Sequence, residues 1–311
     1  MSTTTSHYFP SMDQVLKTRQ ILKGVINPTP LMESLNLSDR FGARISLKRE
    51  DLQVVRSYKI RGAYNKISSL PAEKLAKGIV CASAGNHAQG VALSCRKLQV
   101  NGKIYMPAPT PKQKVQQVEM FGKEFVKIIL TGDTFDDAYQ AAITEAKELE
   151  AVFVHPFDDE KVIEGQATIG MEILDEADTE IDYLFLPIGG GGLSAGVSSV
   201  FKTLSPHTKI IGVEPAGAPA MHQSVQENRV VELGKIDKFV DGAAVKKVGA
   251  KTFQLCKENL TEVALVGEGK VCTELIRMYN ENGSVLEPAG ALSIAVLDRY
   301  KNEIAGKNVV C

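Results

Sequence analysis

Short β-rich runs alternate with helical patterns along the whole chain of 311 residues. Each run is apolar and is bounded by turn residues, which is typical of a buried strand. The runs lie at residues 46–49, 78–83, 102–107, 124–130, 152–155, 182–188, 209–214 and 308–311. Strands that alternate with helices indicate parallel sheets with helices packed on both faces. We therefore predict an α/β protein with open, mostly parallel sheets.

Two helix starts carry the pattern of a capping box, in which a hydroxyl and a side chain three residues later satisfy each other's backbone N–H groups. Ser11 and Gln14 form the first box, and Gly24 ends the helix that follows. Thr110 and Gln113 form the second. We expect helices to begin directly after Ser11 and after Thr110.

The charge balance excludes several classes of partner. Lysine and arginine total 36 against 37 acidic residues, so no strong field attracts nucleic acid or an anionic membrane. No leader with a basic start and an apolar core is present, and no apolar run approaches the roughly 18 residues of a membrane span. We therefore expect a cytoplasmic protein that acts on a small molecule.

The cysteines and histidines show no metal-binding spacing. The five cysteines are odd in number and form no C-x-x-C pair, which argues against disulfides and structural zinc, so we expect buried thiols. We assign no role to four of the five histidines and expect no bound metal. These histidines are His7, His155, His207 and His222.

Ligands in parallel sheets bind beyond the carboxyl ends of the strands, where helix N-termini present free N–H groups. Three predicted strands run into residues that could serve such a site. The strand at 78–83 leads into Ser83–His87, the strand at 182–188 into Gly189–Gly192, and the strand at 209–214 ends at Glu214.

Four consecutive glycines after a strand and before a helix predict a phosphate-binding loop, because no Cβ atom obstructs the amides. A merely flexible turn is the alternative. The spacing Gly190-x-Gly192-x-x-Ala195, with Glu214 at the end of the next strand, also fits a dinucleotide fingerprint. An NAD-dependent oxidoreductase is therefore an open alternative, although it leaves Lys59 and the Ser83 loop without a task.

Lys59 lies where Ser57 could cap a helix that continues through Ile60, Ala63 and Ile67. A helix N-terminus disfavours an ammonium group, so a neutral amine forms there more easily, as covalent attachment to an aldehyde requires. An ordinary surface lysine is the alternative.

The segment Ser83–His87 combines a hydroxyl, an amide side chain and a helix N-terminus, which suits a substrate carboxylate. Asn86 is the stronger functional candidate. His87 could be a base, but we favour a structural role for a single histidine in the first turn of a helix.

Four motifs together resemble the fold type II pyridoxal-phosphate enzymes, specifically the serine and threonine dehydratases. They are S-Y-K-I-R-G-A (57–63), S-A-G-N-H-A-Q-G (83–90), G-G-G-G-L (189–193) and L-E-P-A-G-A (286–291). The segments at 241–249 and 254–260 further resemble the biosynthetic threonine dehydratases. The resemblance implies a tryptophan synthase β-like fold of two open three-layer αβα domains. It implies a large domain at 1–77 and 156–311 and a small domain at 78–155.

The resemblance also implies a dehydratase of L-threonine, and of L-serine, with pyridoxal 5′-phosphate as cofactor. Lys59 would hold the cofactor as a Schiff base and remove the α-proton of the substrate. Tyr58 and Glu287 would lie near the cofactor, Asn86 would bond its phenolic oxygen, and Gly189–Leu193 would bind its phosphate. The loop of Ser83, Ala84, Gly85, Asn86 and His87 would hold the substrate carboxylate.

Three departures from the family pattern qualify these expectations. Ala84 stands where serine racemase carries a second serine, so elimination should exceed racemisation, with a racemase-like enzyme as an alternative. Ala220 stands where a metal-binding relative has an aspartate. The chain stops at Cys311, before a turn that contacts the cofactor in this family, so we expect a truncated sequence and keep a non-catalytic binding protein as a third class. Relatives suggest a homo-oligomer, either a dimer or a tetramer.

Overall fold

The computed structural model describes residues 8–311, and packing divides these residues into two compact units. The large unit comprises the described residues up to 15, with residues 29–49 and 167–311. The small unit comprises residues 16–28 and 50–166. Each unit has a sheet of its own.

The strands of the described residues fall into one six-stranded and one four-stranded sheet. In chain order they are β1 Leu31–Glu33, β2 Arg44–Lys48, β3 Ile79–Ala82, β4 Gly102–Met106, β5 Val126–Leu130, β6 Val152–Phe153, β7 Tyr183–Pro187, β8 Lys209–Pro215, β9 Glu262–Val266 and β10 Asn308–Val310. The sheet of the large unit has the order β1-β2-β10-β7-β8-β9, and only β1 runs antiparallel to its neighbour. The sheet of the small unit has the order β5-β4-β3-β6 and is parallel throughout.

Helices connect the strands, as parallel pairing requires. They are α1 Met12–Leu22, α2 Leu35–Phe41, α3 Lys59–Ser68, α4 Ala72–Ala76, α5 Asn86–Leu98, α6 Lys112–Gly122, α7 Phe135–Glu148, α8 Glu160–Glu176, α9 Gly192–Leu204, α10 Ala220–Gln226, α11 Ala250–Asn259, α12 Glu268–Asn282, α13 Pro288–Ala295 and α14 Lys301–Ile304. No helix within residues 8–311 has the length and apolar character that crossing a membrane demands.

Alternate side chains of β3 serve the two faces of the small sheet, because successive residues of a strand point in opposite directions. Ile79 and Cys81 join a core formed with α3, α5 and α6. Val80 and Ala82 join a second core, in which α7 contributes alanines. The helices thus cover both faces of the small sheet.

The main core of the large unit lies on one face of its sheet. Phe185 of β7 and Val213 of β8 pack there against residues of α2, α12 and α13, including Leu292. Leu184 alternates with Phe185 and is fully buried on the opposite face, and α9 contacts β7. The prediction of two open, mostly parallel α/β units with helices on both faces is confirmed.

Two glycines, Gly62 and Gly165, let the backbones of α3 and α8 approach each other closely in the small unit. A Cβ atom added to Gly165 would lie 2.5 Å from the Cα of Gly62 and 2.6 Å from the carbonyl oxygen of Arg61. Arg61 itself is fully buried, and its guanidinium forms two hydrogen bonds, of 2.9 and 2.8 Å, with the carboxylate of Glu50. The start of α3 is therefore rigidly held.

All eight predicted strands are present, with ends that differ by one or two residues. The predicted run 124–130 is shorter as a strand because Lys123–Phe125 form a 3₁₀ turn. Two strands, Leu31–Glu33 and Glu262–Val266, were missed. Both contain a glutamate, which weakens the apolar pattern.

One of the two predicted capping boxes is correct. Gln14 N–H donates to Ser11 Oγ at 3.3 Å, Ser11 N–H donates to Gln14 Oε1 at 3.0 Å, and α1 begins at Met12 as predicted. The prediction for Thr110 is wrong, because its hydroxyl donates to the carbonyl of Pro107 at 2.7 Å. Pro111 occupies the cap position instead, and no side chain caps α6.

The packing units differ from the predicted domains in residues 16–28, 50–77 and 156–166, which the prediction placed in the large domain. In the structure these residues pack in the small unit, where α3 lies against α5. Lys59 therefore belongs to the same compact unit as the loop Ser83–His87.

We expect Gly165→Ala to lower the free energy of unfolding by about 2 to 3 kcal/mol, because the new methyl group meets backbone that cannot rotate away. Gly269→Ala is the matched control, since a Cβ atom there meets no atom within 4 Å and alanine favours the helix by up to about 1 kcal/mol. Urea unfolding of both variants tests the difference. Equal stabilities would contradict the close packing of α3 and α8.

Candidate active site

Lys59 is the first residue of α3 and is half-buried. Its Nζ donates a hydrogen bond of 3.1 Å to the carbonyl oxygen of Pro156 and lies 5.3 Å from the centre of the Tyr58 ring. The position agrees with the predicted place in the first helical turn, where the helix dipole favours a neutral amine. The amine is thus held by a specific acceptor and is not a freely solvated surface charge.

The predicted cap of this helix is wrong. Tyr58 occupies the cap position with helical backbone angles, φ −64° and ψ −13°, and no side chain caps the helix. The hydroxyl of Ser57 is buried and has no hydrogen-bond partner in the described part of the chain. Ser57 does not cap the helix, because its hydroxyl accepts no hydrogen bond from the first N–H groups of α3 in the described part of the chain.

Gly90 brings the lysine segment against helix α5. A Cβ atom at Gly90 would lie 3.0 Å from the carbonyl carbon and oxygen of Lys59 and 3.1 Å from the backbone nitrogen of Ile60. Glycine permits this approach because it has no side chain. The first and second motifs of the sequence are therefore packed together within the small unit, with the first turn of α3 beside α5.

The loop Ser83–Gly85 leads from β3 into the N-terminus of α5, which begins at Asn86. Gly85 N–H donates to Ser83 Oγ at 3.2 Å, and Ser83 N–H donates to the carbonyl of Tyr105 at 3.0 Å. Asn86 is partly exposed at the first position of the helix. The arrangement combines a hydroxyl, an amide and the N–H groups of a helix start, which suits a carboxylate.

His87 has a structural place in this loop. Its ring is 4% exposed, and Nε2 donates to the carbonyl of Val154 at 2.9 Å. Burial, assisted by the charge of Lys59, lowers the pKa of His87 to about 3. A ring that remains neutral and hydrogen-bonded is a poor base, which supports the structural interpretation.

The sequence indicates no role for His155, yet the carbonyl of the next residue, Pro156, accepts the hydrogen bond of Lys59. Its Nδ1 accepts N–H groups from Phe157 at 3.2 Å and from Asp158 at 2.8 Å. Burial lowers the pKa of His155 to about 4, against the opposing charges of Asp158 and Asp159. The signal that could have found it is local, because a histidine directly before a proline favours a turn.

The four glycines follow β7 in the large unit, and the last of them, Gly192, is the first residue of α9. Gly191 has φ +91°, a conformation that favours glycine, and a Cβ atom there would lie 2.8 Å from Met221 Cε. A Cβ atom at Gly189 would lie 2.9 Å from the Cα of Ala243. The first N–H groups of α9 have no partner within the helix, so the loop can bind an anion.

Two further residues support the glycine loop and were missed. Thr252 is fully buried, and its hydroxyl donates to the carbonyl of Gly190 at 2.7 Å. Ala243 packs against Gly189, as the close approach above requires. Ala243 lies in the segment 241–249, and Thr252 lies between this segment and the segment 254–260. The sequence of these segments gives no sign that they contact the glycine loop.

Glu287 is exposed and precedes Pro288 at the start of α13. A Cβ atom added to Gly242 would lie 3.5 Å from Glu287 Oε1 and 2.9 Å from the Cβ of Ala289. Residues 242 and 243 therefore pack against both Glu287 and the glycine loop. Within the large unit, the third and fourth motifs are joined through this segment.

Glu214 does not fit the dinucleotide fingerprint. Its side chain is fully buried, Oε1 accepts the N–H of Met221 at 2.7 Å, and Oε2 accepts the N–H of His222 at 2.8 Å. Burial raises the pKa of Glu214 to about 8, although these two hydrogen bonds oppose the shift. Both carboxyl oxygens are engaged by backbone, so neither is available to a ribose.

Among residues 8–311, no group of three or more His, Cys, Asp or Glu side chains could hold a metal ion. His7 lies outside the described residues, and His207 is half exposed. The cysteines of this part of the chain are unpaired. Three of them are buried, but Cys272 and Cys311 are partly exposed, so the expectation that all five are buried is wrong.

Comparison with known proteins gives a consistent result. The family model described as "Pyridoxal-phosphate dependent enzyme" matches residues 22–311. The chain is 56% identical over 300 residues to "L-threonine dehydratase biosynthetic IlvA" of Halalkalibacterium halodurans, which covers 96% of this chain and 72% of that protein.

Two solved structures are similar throughout the chain. One is the processed form of threonine deaminase isoform 2 from Solanum lycopersicum, with a TM-score of 0.90, 40% identity and coverage of 98% of this chain and 90% of that one. The other is maize serine racemase, with a TM-score of 0.91, 28% identity and coverage of 97% and 93%.

We expect acid to destabilise the protein as pH falls from 6.5 toward 4. The folded-state pKa values of His87 and His155, about 3 and about 4, lie below the ordinary value of 6.5. The unfolded chain therefore binds more protons in this window, and stability is lost as pH falls, by up to about 1.4 kcal/mol per pH unit for each histidine. Urea unfolding at several pH values measures the slope.

His155→Asn should reduce this slope by the contribution of one histidine, up to about 1.4 kcal/mol per pH unit, because asparagine does not titrate between pH 6.5 and 4. A slope equal to that of the wild type would show that His155 is not buried in its neutral form.

Proposed function

Because the chain belongs to the family of pyridoxal-phosphate dependent enzymes, we propose that it is a lyase that dehydrates and deaminates L-threonine to 2-oxobutanoate and ammonia. L-Serine, which gives pyruvate, is proposed as a second substrate. The observation that carries the proposal is the amine of Lys59, held at a helix N-terminus in a chain 56% identical to proteins named L-threonine dehydratase.

The residues fit pyridoxal phosphate. The glycine loop offers a helix N-terminus without side chains, and at Gly189 and Gly191 a Cβ atom would collide with the protein itself. Lys59 offers an amine at a position that favours its neutral form. When bound, the cofactor supplies an electron sink that stabilises negative charge at the α-carbon of an amino acid.

Lys59 has two tasks in the proposed reaction. Its Nζ would hold the cofactor, which would supply an aldehyde for covalent attachment. With substrate bound, the Nζ would accept the α-proton as a neutral amine. Loss of that proton and of the β-hydroxyl, together one water, followed by hydrolysis with one water, would give the keto acid and ammonia.

The remaining candidate residues bind and orient. Ser83 to His87 hold the substrate carboxylate with the N–H groups at the start of α5, and Asn86 also bonds the phenolic oxygen of the cofactor. Gly189 to Leu193 hold the phosphate. Tyr58 and Glu287 lie beside the cofactor in this proposal.

A racemase is the alternative supported by a specific observation, the likeness to maize serine racemase. Ala84 has no hydroxyl that could return a proton to the α-carbon. We therefore propose elimination as the dominant reaction. Chiral analysis of serine after incubation distinguishes the two, because a racemase would accumulate D-serine. Release of ammonia from threonine would likewise exclude a non-catalytic binding protein.

A homo-oligomer, dimer or tetramer, and a cytoplasmic location stay predictions. Light scattering coupled to size-exclusion chromatography tests the first. Neither affects the chemistry assigned to Lys59.

We expect Lys59→Ala to lower keto-acid formation from threonine by about 1000-fold or more, because the proposed base and attachment point are both lost. Lys77→Ala is the control, since its side chain is half exposed and pairs with Glu150 on the surface. A coupled assay for 2-oxobutanoate measures both variants. Substantial turnover by Lys59→Ala would move the base to another residue.

We expect Thr252→Val to weaken pyridoxal-phosphate binding about tenfold, because the carbonyl of Gly190 loses its buried hydrogen bond and the glycine loop loosens. Thr273→Val is the matched control, since the Thr273 hydroxyl makes the same kind of bond, 3.0 Å to Gly269, on an exposed helix. Titration of the apoprotein with the cofactor measures both. Equal affinities would show that Thr252 does not support the phosphate loop.

A further inference from the structure

The segment 154–161, here called the strap, connects β6 to the first turn of α8 and is tied to two helices of the small unit. His87 of α5 donates to the carbonyl of Val154 at 2.9 Å. Three residues of α3 bind the rest of the strap. Lys59 donates to Pro156 O at 3.1 Å, Asn65 donates to Lys161 O at 2.8 Å, and Lys66 pairs with Asp159 at 2.7 Å.

His155 determines the shape of the strap at the residue that meets Lys59. Its Nδ1 accepts the N–H groups of both Phe157 and Asp158, so the backbone folds around the ring and Pro156 is at the turn. The ring of Phe157 lies edge-on to the His155 ring, with centroids 4.6 Å apart and planes at 90°. Two hydrogen bonds and an aromatic contact thus define where the Pro156 carbonyl points.

We propose that His155 is a positioning residue for Lys59: its Nδ1 holds the strap in the conformation that presents the Pro156 carbonyl to the Lys59 amine. The inference rests on the proposed function of Lys59. A carbonyl accepts one N–H of the amine and so directs the lone pair of a neutral amine away from the strap. An amine displaced by about 1 Å loses about two orders of magnitude in rate, because proton transfer depends on alignment.

The role requires a neutral ring with its proton on Nε2, because Nδ1 already accepts two N–H groups. Burial favours this form, with a pKa of about 4. The charged or titratable groups that act on the ring are Lys59, Asp158 and Asp159, and His87 lies close to the same lysine. Protonation would place a hydrogen against both donors and open the turn.

The substitutions His155→Asn and His155→Gln form a matched pair. Asparagine can accept N–H groups two and three residues ahead with its side-chain oxygen, as Nδ1 does, whereas glutamine is one methylene too long for this turn. Both are polar, uncharged and similar in size. Their contrast therefore separates the acceptor from a general effect on folding, which urea unfolding checks independently.

Three measurements on the full chain test the proposal. Hydrogen exchange reports the Phe157 and Asp158 amides, and labelling with an amine-reactive ester, quantified at the Lys59 peptide, reports the amine without cofactor. Steady-state kinetics of the holoenzyme with threonine report kcat and KM separately. We expect the Gln variant to exchange both amides about tenfold faster, to label Lys59 about threefold faster, and to lose about tenfold in kcat at little-changed KM, while the Asn variant stays near the wild type.

Two results would overturn the proposal. In the first, Lys59 is labelled at the same rate in the Asn and Gln variants. In the second, the Gln variant exchanges the Phe157 and Asp158 amides faster, but its Lys59 is labelled at the wild-type rate. The first result would show that the acceptor at position 155 is irrelevant, and the second that the strap does not hold the amine. Failure of the wild type to turn over threonine would instead refute the proposed function. Exchange and labelling would still decide the role of His155 in that case, because neither needs the cofactor.

Discussion

The placement of one amine depends on a backbone contact between two helices. A Cβ atom at Gly90 of α5 would lie 3.0 Å from the carbonyl of Lys59, so only glycine lets the first turn of α3 pack this closely against α5. Gly62 and Gly165 let α8 pack closely against α3. The hydrogen bonds of buried Arg61 to Glu50 hold the start of α3 in place. Lys59 is therefore attached to a rigid element, as precise chemistry requires. The Pro156 carbonyl accepts a hydrogen bond from the amine.

Close packing and a buried hydrogen bond likewise hold the glycine loop of the large unit. The parallel order of β7, β8 and β9 gathers residues that are far apart in the chain. Ala243 fills the space beside Gly189, and Thr252 binds the carbonyl of Gly190, so the carbonyl side of the loop is occupied by protein. The N–H groups at the start of α9 are left for a ligand. The proposed phosphate site thus relies on packing that the motifs alone do not describe.

Much of the fold could be predicted from the sequence, because strand and helix patterns are local. The alternation of apolar runs predicted every strand except the short β1 and the glutamate-containing β9. The candidate site was less predictable. Lys59 and the glycines stand out by residue type, but Thr252 and Gly90 act through a hydrogen bond and a close approach to residues distant in sequence. His155 bonds to Phe157 and Asp158 nearby in the chain, and only the fold brings the neighbouring Pro156 carbonyl to Lys59. The predicted caps at Ser57 and Thr110 are wrong, because the Ser57 hydroxyl makes no hydrogen bond within the described residues and the Thr110 hydroxyl donates to the carbonyl of Pro107.

The central claim is that the Nζ of Lys59 binds the aldehyde of pyridoxal phosphate. Borohydride reduction of the full chain after incubation with the cofactor makes any such bond permanent, and peptide mass spectrometry then locates it. The account predicts a reduced pyridoxyl group on the peptide that contains Lys59, at about one per chain. A group on a different lysine, with Lys59 unmodified, would contradict it.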